Sequence, residues 1–264
     1  MSEREPSYIS LHCQRVSHLY GETEALRDVS VTYQGSGCVA LIGANGAGKS
    51  TLLRGIVGAQ RLSAGSIHLG EAELYPESPA RASLGYLSEH AVLPPDLSVE
   101  EVLWGATVTR GLTRREGVSA LEWALERCQL IELSDRRCST LSRGQRQRTR
   151  LASVLVHRPK LLVLDEVHSG LDPLQTVELN QLLSELARDC LVLLSTHRLS
   201  AAEEIADAYW VLHRGRLLAA GPISAWSALK GHHPDLTSEP LLTTVNGGSL
   251  EHAYLSLIAQ DQIV

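Results

Sequence analysis

Apolar and polar positions along the chain alternate between two textures. Short all-apolar runs, Cys38-Val-Ala-Leu-Ile42, Leu161-Leu-Val-Leu-Asp165 and Leu191-Val-Leu-Leu-Ser195, are bounded by glycine or charge. Runs of this length suit strands buried on both faces of a parallel sheet. Between them lie helical stripes: Leu52, Leu53, Ile56 and Val57 after the first run, and Leu179, Leu182, Leu183 and Leu186 before the third. Residues 8–42 read as β-rich, with weak alternation from Val29 to Tyr33 and a turn at Gly35-Ser-Gly37. From Ser98 to about Arg158 the texture is helical: Ser98-Val-Glu-Glu101 is a capping box, and Val118, Leu121, Leu125 and Cys128 share one helix face. Residues 231–248 read as loop, followed by a short terminal helix from Gly248.

Strands alternating with helices predict a parallel sheet, so the helical block is an insertion into an α/β core. The formal net charge of −6 argues against non-specific nucleic-acid binding. Five cysteines with no CxxC pair fit reduced thiols. The polar start carries no signal-peptide core, and no apolar run is long enough to span a bilayer. The expectation is a cytoplasmic protein whose membrane role, if any, runs through a partner.

Gly43-Ala44-Asn45-Gly46-Ala47-Gly48-Lys49-Ser50, followed by Thr51, matches G-x-x-x-x-G-K-[ST] at every position. Glycines let the backbone turn so that its N–H groups converge on phosphate oxygens, and the next helix presents its positive end to the same anion. Lys49 can reach the β- and γ-phosphates, and the Ser50 hydroxyl can bind Mg²⁺. Only three lysines occur in the chain, and one stands where the motif needs it. The run ending in Asp165-Glu166 places two carboxylates at a strand C-terminus, where open α/β sheets bind ligands. Asp165 is placed to hold Mg²⁺, and Glu166 to activate a water near the γ-phosphate.

The phosphate loop alone leaves kinases, GTPases and many ATPases open. No asparagine precedes a lysine, so no guanine-reading NKxD sequence exists. Leu141-Ser142-Arg143-Gly144-Gln145 resembles the signature motif of ATP-binding cassette (ABC) proteins, and Ser142 with Gln145 is also a capping box, so its helix end is an anion site by either reading. The resemblance covers roughly residues 8–222. It implies a dimer, homomeric or heteromeric, in which each signature motif touches the γ-phosphate held by the opposite subunit. By the same resemblance Tyr20 stacks on adenine, although a tyrosine also suits a half-buried strand. Asp172 belongs to the D-loop, and is equally an N-cap with proline following. His197 is the switch histidine, and Glu89 stands at the Q-loop, where a carboxylate could also accept Mg²⁺.

The resemblance further implies an α/β fold: a P-loop NTPase core with parallel-sheet-centred layers, an N-terminal antiparallel β region and an inserted α-helical signature subdomain. The expected cassette spans residues 1–222, with the core at 1–88 and 158–222, the insertion at 89–157, and an extension at 223–264. Mg²⁺ is the expected cofactor and ATP the substrate. A transport ATPase docking on a separate integral membrane permease, peripheral on the inner membrane face, is preferred over a soluble ABC ATPase, since one cassette is present and no heptad run occurs. Ser249-Leu-Glu-His-Ala-Tyr-Leu255, Gly170–Gln175 and Leu194–Leu199 resemble bacterial drug, antibiotic and gliding-type exporters, so export is expected and import is the alternative. Three positions depart from the family pattern. Glu89 replaces glutamine, Arg143 replaces a glycine and is expected to face solvent, and Val167-His168 replaces Pro-Thr, losing a stiffening proline in the turn before the D-loop.

Overall fold

The computed structural model describes residues 9–197, 199–226 and 258. The terminal helix expected from Gly248 lies outside the described residues. Strands β1 (Ser10–Tyr20) and β2 (Thr23–Gln34) form a hairpin, followed by β3 (Gly37–Ile42) and helix α1 (Lys49–Ile56). Next come β4 (Ala64–Leu69), β5 (Ala72–Glu73) and β6 (Leu84–Leu87), then helices α2 (Val99–Thr109), α3 (Arg114–Arg127) and α4 (Arg143–Leu155). The chain returns through β7 (Leu161–Asp165), α5 (Pro173–Leu186), β8 (Leu191–Thr196), α6 (Leu199–Ile205), β9 (Ala208–His213), β10 (Arg216–Pro222) and α7 (Ile223–Trp226).

Two sheets result. The first is antiparallel in the order β2-β1-β4-β5. The second runs β10-β9-β3-β8-β7-β6, parallel throughout except for antiparallel β10 at its edge. This is the mixed α/β architecture of a P-loop NTPase, with a parallel core, an N-terminal antiparallel region and inserted helices.

The all-apolar runs are buried on both faces, and their side chains divide by parity because a strand alternates faces. Val39, Leu41, Leu161, Val163, Leu191 and Leu193 face α1 and the antiparallel sheet. Leu162, Leu164, Val192 and Leu194 face the core built with α2 to α5, while Ala40 and Ile42 pack with Ala202 of α6. Helix α1, which carries Lys49 at its start, is thus held between two sheets by Leu52, Leu53 and Ile56, each 0% exposed. Truncating any of them to alanine would cost about 2–5 kcal/mol.

Both expected capping boxes form. The Ser98 hydroxyl accepts from the Glu101 N–H at 3.1 Å while Glu101 accepts from the Ser98 N–H at 2.8 Å. Ser142 and Gln145 make the same pair at 3.2 and 2.9 Å. A third, Thr113 with Glu116, starts α3. The apolar face of α3 differs from expectation. Gly117, Ala120, Leu121, Ala124 and Leu125 are buried, whereas Val118 is 42% exposed. Val118 shares its direction with buried Leu125 to within about 20° and lies two turns nearer the helix start, at the edge of the buried face.

Candidate nucleotide site

Strand register assembles the site. Ile42 lies opposite Thr196 and Asp165 opposite Ser195, so three parallel strands release their next residues at one edge. These are the glycine loop at Gly43, Glu166 and His197.

Two glycines in that loop are required by contact rather than by turn type alone. A Cβ on Gly43 would lie 2.5 Å from the Leu212 carbonyl oxygen. One on Gly48, whose φ is +104°, would lie 2.6 Å from the Ala25 carbonyl oxygen. The loop is therefore pressed against β2 and β9, and the Ala47 carbonyl accepts from the Gly215 N–H at 2.9 Å. Lys49 is 6% exposed; its ammonium donates to the carbonyls of Gly43 at 2.8 Å and Ala44 at 3.3 Å and lies 3.3 Å from Glu166 Oε1.

Glu166 has a left-handed backbone, φ +50°, a conformation that costs a non-glycine residue about 1–2 kcal/mol. Its N–H donates to both the carbonyl (3.2 Å) and the hydroxyl (3.0 Å) of Ser195. That hydroxyl in turn donates to Asp165 Oδ1 at 2.5 Å. Ser195 therefore fixes both the Asp165 carboxylate and the Glu166 backbone; only its place at a strand end near His197 could have flagged it. With Asp165 turned to Ser195, Glu166 reaches the other way, and its Oε2 is 2.8 Å from His197 Nδ1. The Lys49 contact is an ion pair without hydrogen-bond alignment, so Oε1 keeps unfilled acceptor capacity. A carboxylate held between an ammonium and an imidazole, with one oxygen free to accept, is equipped to orient a water and take its proton.

Tyr20 is 47% exposed at the end of β1, meeting His18 edge-on at a ring separation of 4.6 Å. Its hydroxyl donates to Gln60 Oε1 at 2.8 Å, and Gln60 Nε2 donates to the Thr51 carbonyl at 3.1 Å. Gln60 thus fixes the ring relative to α1, a role with no sequence signal.

Ser142, Gly144 and Gln145 stand at the start of α4 beside the start of α5, where a Cβ on Gly144 would meet Gln175 at 3.1 Å and where Asp172 caps α5 by accepting from the Gln175 N–H at 2.8 Å. Among the described residues no hydrogen bond or ion pair links this group to residues 43–51. Arg143 is exposed, as expected, and it also touches the turn before the D-loop. Its guanidinium donates to the Ser169 carbonyl at 3.1 Å and lies over Gly170, close enough that any Cβ there would collide with it. The lost proline is also compensated: His168, 1% exposed, bonds Asn180 of α5 at 2.7 Å.

A cleft of about 370 Å³ opens between the carboxylates and α4, lined by Glu89, Arg143, Arg146, Arg150, Asp165 and Glu166 among others. Glu89 is 41% exposed, 4.0 Å from His90 Nε2. Mg²⁺ fits the donors present, a hydroxyl on the first turn of α1 and a nearly buried carboxylate, because this ion takes one or two carboxylates and fills its octahedron with phosphate oxygens and water. No cluster of three or more histidine, cysteine or acidic ligands exists among the described residues, and such a cage is not what this ion requires. No helix among them is long and apolar enough to cross a membrane.

The family described as ABC transporter matches the chain over residues 26–169. The chain is 36% identical over 217 residues to Nod factor export ATP-binding protein I of Rhizobium leguminosarum bv. viciae, covering 81% of this chain and 70% of that protein. It is 34% identical over 211 residues to aliphatic sulfonates import ATP-binding protein SsuB 2 of Xanthomonas axonopodis pv. citri (strain 306), covering 79% and 69%. A solved structure of the ATP binding subunit of an ABC transporter superposes with a TM-score of 0.76 at 30% identity, covering 94% of this chain and 99% of that one.

Proposed function

The chain belongs to the ABC transporter family as an ATP-hydrolysing subunit that powers a transport system, and from that premise we propose a mechanism in which Glu166 is the base and two copies, or this chain and a similar one, close over the nucleotide. The observation that carries it is the contact set at the sheet edge: the Glu166 carboxylate 3.3 Å from the Lys49 ammonium and 2.8 Å from the His197 ring. The backbone of Gly43 to Thr51 and the Lys49 ammonium bind the phosphates, and Tyr20 stacks on adenine. Ser50 and Asp165 would hold Mg²⁺, with Glu89 beside them at the cleft; when bound, the ion neutralises phosphate charge and orients the terminal phosphoryl group. Phosphates entering the loop compete for the Lys49 ammonium, which then releases Glu166 Oε1 to accept from the attacking water. His197 keeps the other oxygen in place.

Ser142 to Gln145 lie away from their own phosphate loop, at an exposed helix start that suits an anion. That separation supports a site completed across two subunits, each signature helix meeting the γ-phosphate on its partner and Asp172 lying beside the join. Loss of that phosphate on hydrolysis removes the bridging contacts and the pair reopens. We place the cassette at residues 1–222, its helical insertion at 89–157 docking on a membrane permease at the inner face of the membrane.

Export is the preferred direction, on the resemblance of Gly170–Gln175 and Leu194–Leu199 to exporter sequences. Relatives named for export and for import both match the chain, so direction is tested separately, by reconstituting the complex in vesicles with outward-facing ATPase subunits. Cargo accumulating inside supports export; cargo leaving refutes it. The ATPase reading is tested by Glu166→Gln, which should bind Mg-ATP with turnover reduced at least about 100-fold; undiminished turnover excludes Glu166 as the base.

A further inference from the structure

Beyond the groups that touch the nucleotide, a buried polar chain joins the turn after Glu166 to the helix after His197. His168 Nε2 is 2.7 Å from Asn180 Oδ1, and Asn180 Nδ2 donates to Glu204 Oε2 at 2.7 Å. His168 and Asn180 are 1% and 4% exposed, while Glu204 is at the surface. The direction of the chain follows from donor inventory. A carboxylate only accepts, so the Asn180 amide nitrogen must face it; the amide oxygen then faces His168, whose Nε2 must carry the proton.

The three residues sit on three elements that bear on the reaction. His168 lies two residues beyond Glu166, in the turn where the Ser169 N–H donates to the Glu166 carbonyl at 2.9 Å. Asn180 is on the buried face of α5. Glu204 is on α6, which starts two residues beyond His197 and is seated on β3 through the fully buried Ala202. The path from Glu166 through His168, Asn180 and Glu204 to α6 and His197 closes on itself at the 2.8 Å contact between His197 and Glu166. A hydrogen-bonded chain with two buried members favours one arrangement, because slipping His168 or Asn180 strands a polar group away from water. A proline after Glu166 would stiffen this turn; Val167 stands there instead.

We propose that His168, Asn180 and Glu204 are positioning residues that set the separation of Glu166 and His197, and so the rate of the hydrolytic step, without contributing to nucleotide binding. This rests on the assignment of Glu166 and His197 above. The phosphate loop and Tyr20 lie outside the ring, so breaking the chain should lower kcat and spare KM.

The test uses the full-length chain with four substitutions. His168→Phe and Asn180→Leu keep the planar and branched shapes and remove the bonds. His168→Gln keeps a side-chain N–H near the Nε2 position. Glu204→Ala breaks the chain at the surface, where folding is least at risk. His168→Phe, Asn180→Leu and Glu204→Ala should lower kcat about 10- to 100-fold, the penalty for misplacing a catalytic group by an ångström. KM for ATP should stay within about three-fold, and His168→Gln should recover most of the rate. Unchanged kcat in folded Glu204→Ala and Asn180→Leu overturns the proposal, as does a loss that falls on KM alone. A second readout is independent of turnover: the imidazole ¹⁵N signals of His197, which report its bond to Glu166, should change in His168→Phe and Glu204→Ala but not in His168→Gln. Unmoved signals there sink the positioning role; normal turnover in Glu166→Gln with moved signals sinks only the base assignment.

Discussion

Gly170 and Arg143 should be energetically one unit, and a double-substitution cycle can show it. Gly170 has φ +70°, and the Arg143 guanidinium occupies the space a Cβ would take. Gly170→Ala therefore imposes two costs. The left-handed backbone costs alanine about 1–2 kcal/mol. Displacing the guanidinium forfeits its bond to the Ser169 carbonyl, about 1 kcal/mol for an exposed contact. The sum is about 2–3 kcal/mol. Arg143→Ala alone should cost about 1 kcal/mol, that same bond. In the double variant the arginine is already gone, so only the backbone cost is added, and the total should again be about 2–3 kcal/mol. Urea unfolding of the four proteins, followed by circular dichroism at constant slope, gives the values. If instead Gly170→Ala alone cost only the backbone term of about 1–2 kcal/mol, and the double variant equalled the sum of the two single costs, the arginine would not touch Gly170 and the docking of α4 on the D-loop would be wrong.

Other expectations concern single groups. Lys49→Ala should weaken ATP binding at least about 100-fold by calorimetry, since charge-assisted bonds to phosphate are worth about 1.5–3 kcal/mol each; unchanged affinity refutes its phosphate role. Tyr20→Ala should weaken ATP and its base-modified analogues alike by roughly ten-fold, as base stacking on an aromatic is worth about 1–3 kcal/mol; an unaltered affinity would leave the tyrosine a strand residue only. His157 gives a pH dependence: burial, with Arg110 adding to it, lowers its pKa to about 4 although its Nε2 bonds the Leu84 carbonyl at 2.9 Å. Between that value and the unfolded value of 6.5 the unfolded chain binds a proton that the fold refuses, so stability present above 6.5 is lost as pH falls toward 4. Because the ring is partly exposed the effect is discounted to about 1–2 kcal/mol. His157→Gln should flatten that slope in urea titrations at pH 5 and 7.5, and an identical slope refutes the assignment.

How far the sequence could be read depended on whether a feature is local. The three apolar runs became β3, β7 and β8 within a residue of their expected ends, because burial on both faces leaves no polar position to blur them. Capping boxes at Ser98 and Ser142 were equally legible, as the whole motif lies in four residues. The edge strand β10 and the order β10-β9-β3-β8-β7-β6 depend on pairings between distant segments and have no local signature. Ser195, Gln60 and the chain through Asn180 and Glu204 were invisible for the same reason: each acts through a partner 24 or more residues away or on another element. The added contact of the exposed Arg143 was hidden likewise, since only the fold brings Gly170 under its guanidinium.

If Glu166 activates water in a site that two subunits complete around ATP, Glu166→Gln in saturating Mg-ATP should run in size-exclusion chromatography as a stable nucleotide-loaded dimer. Ser142→Arg, placed in the signature helix, should prevent that dimer from forming. A monomer that turns ATP over at the normal rate would contradict it.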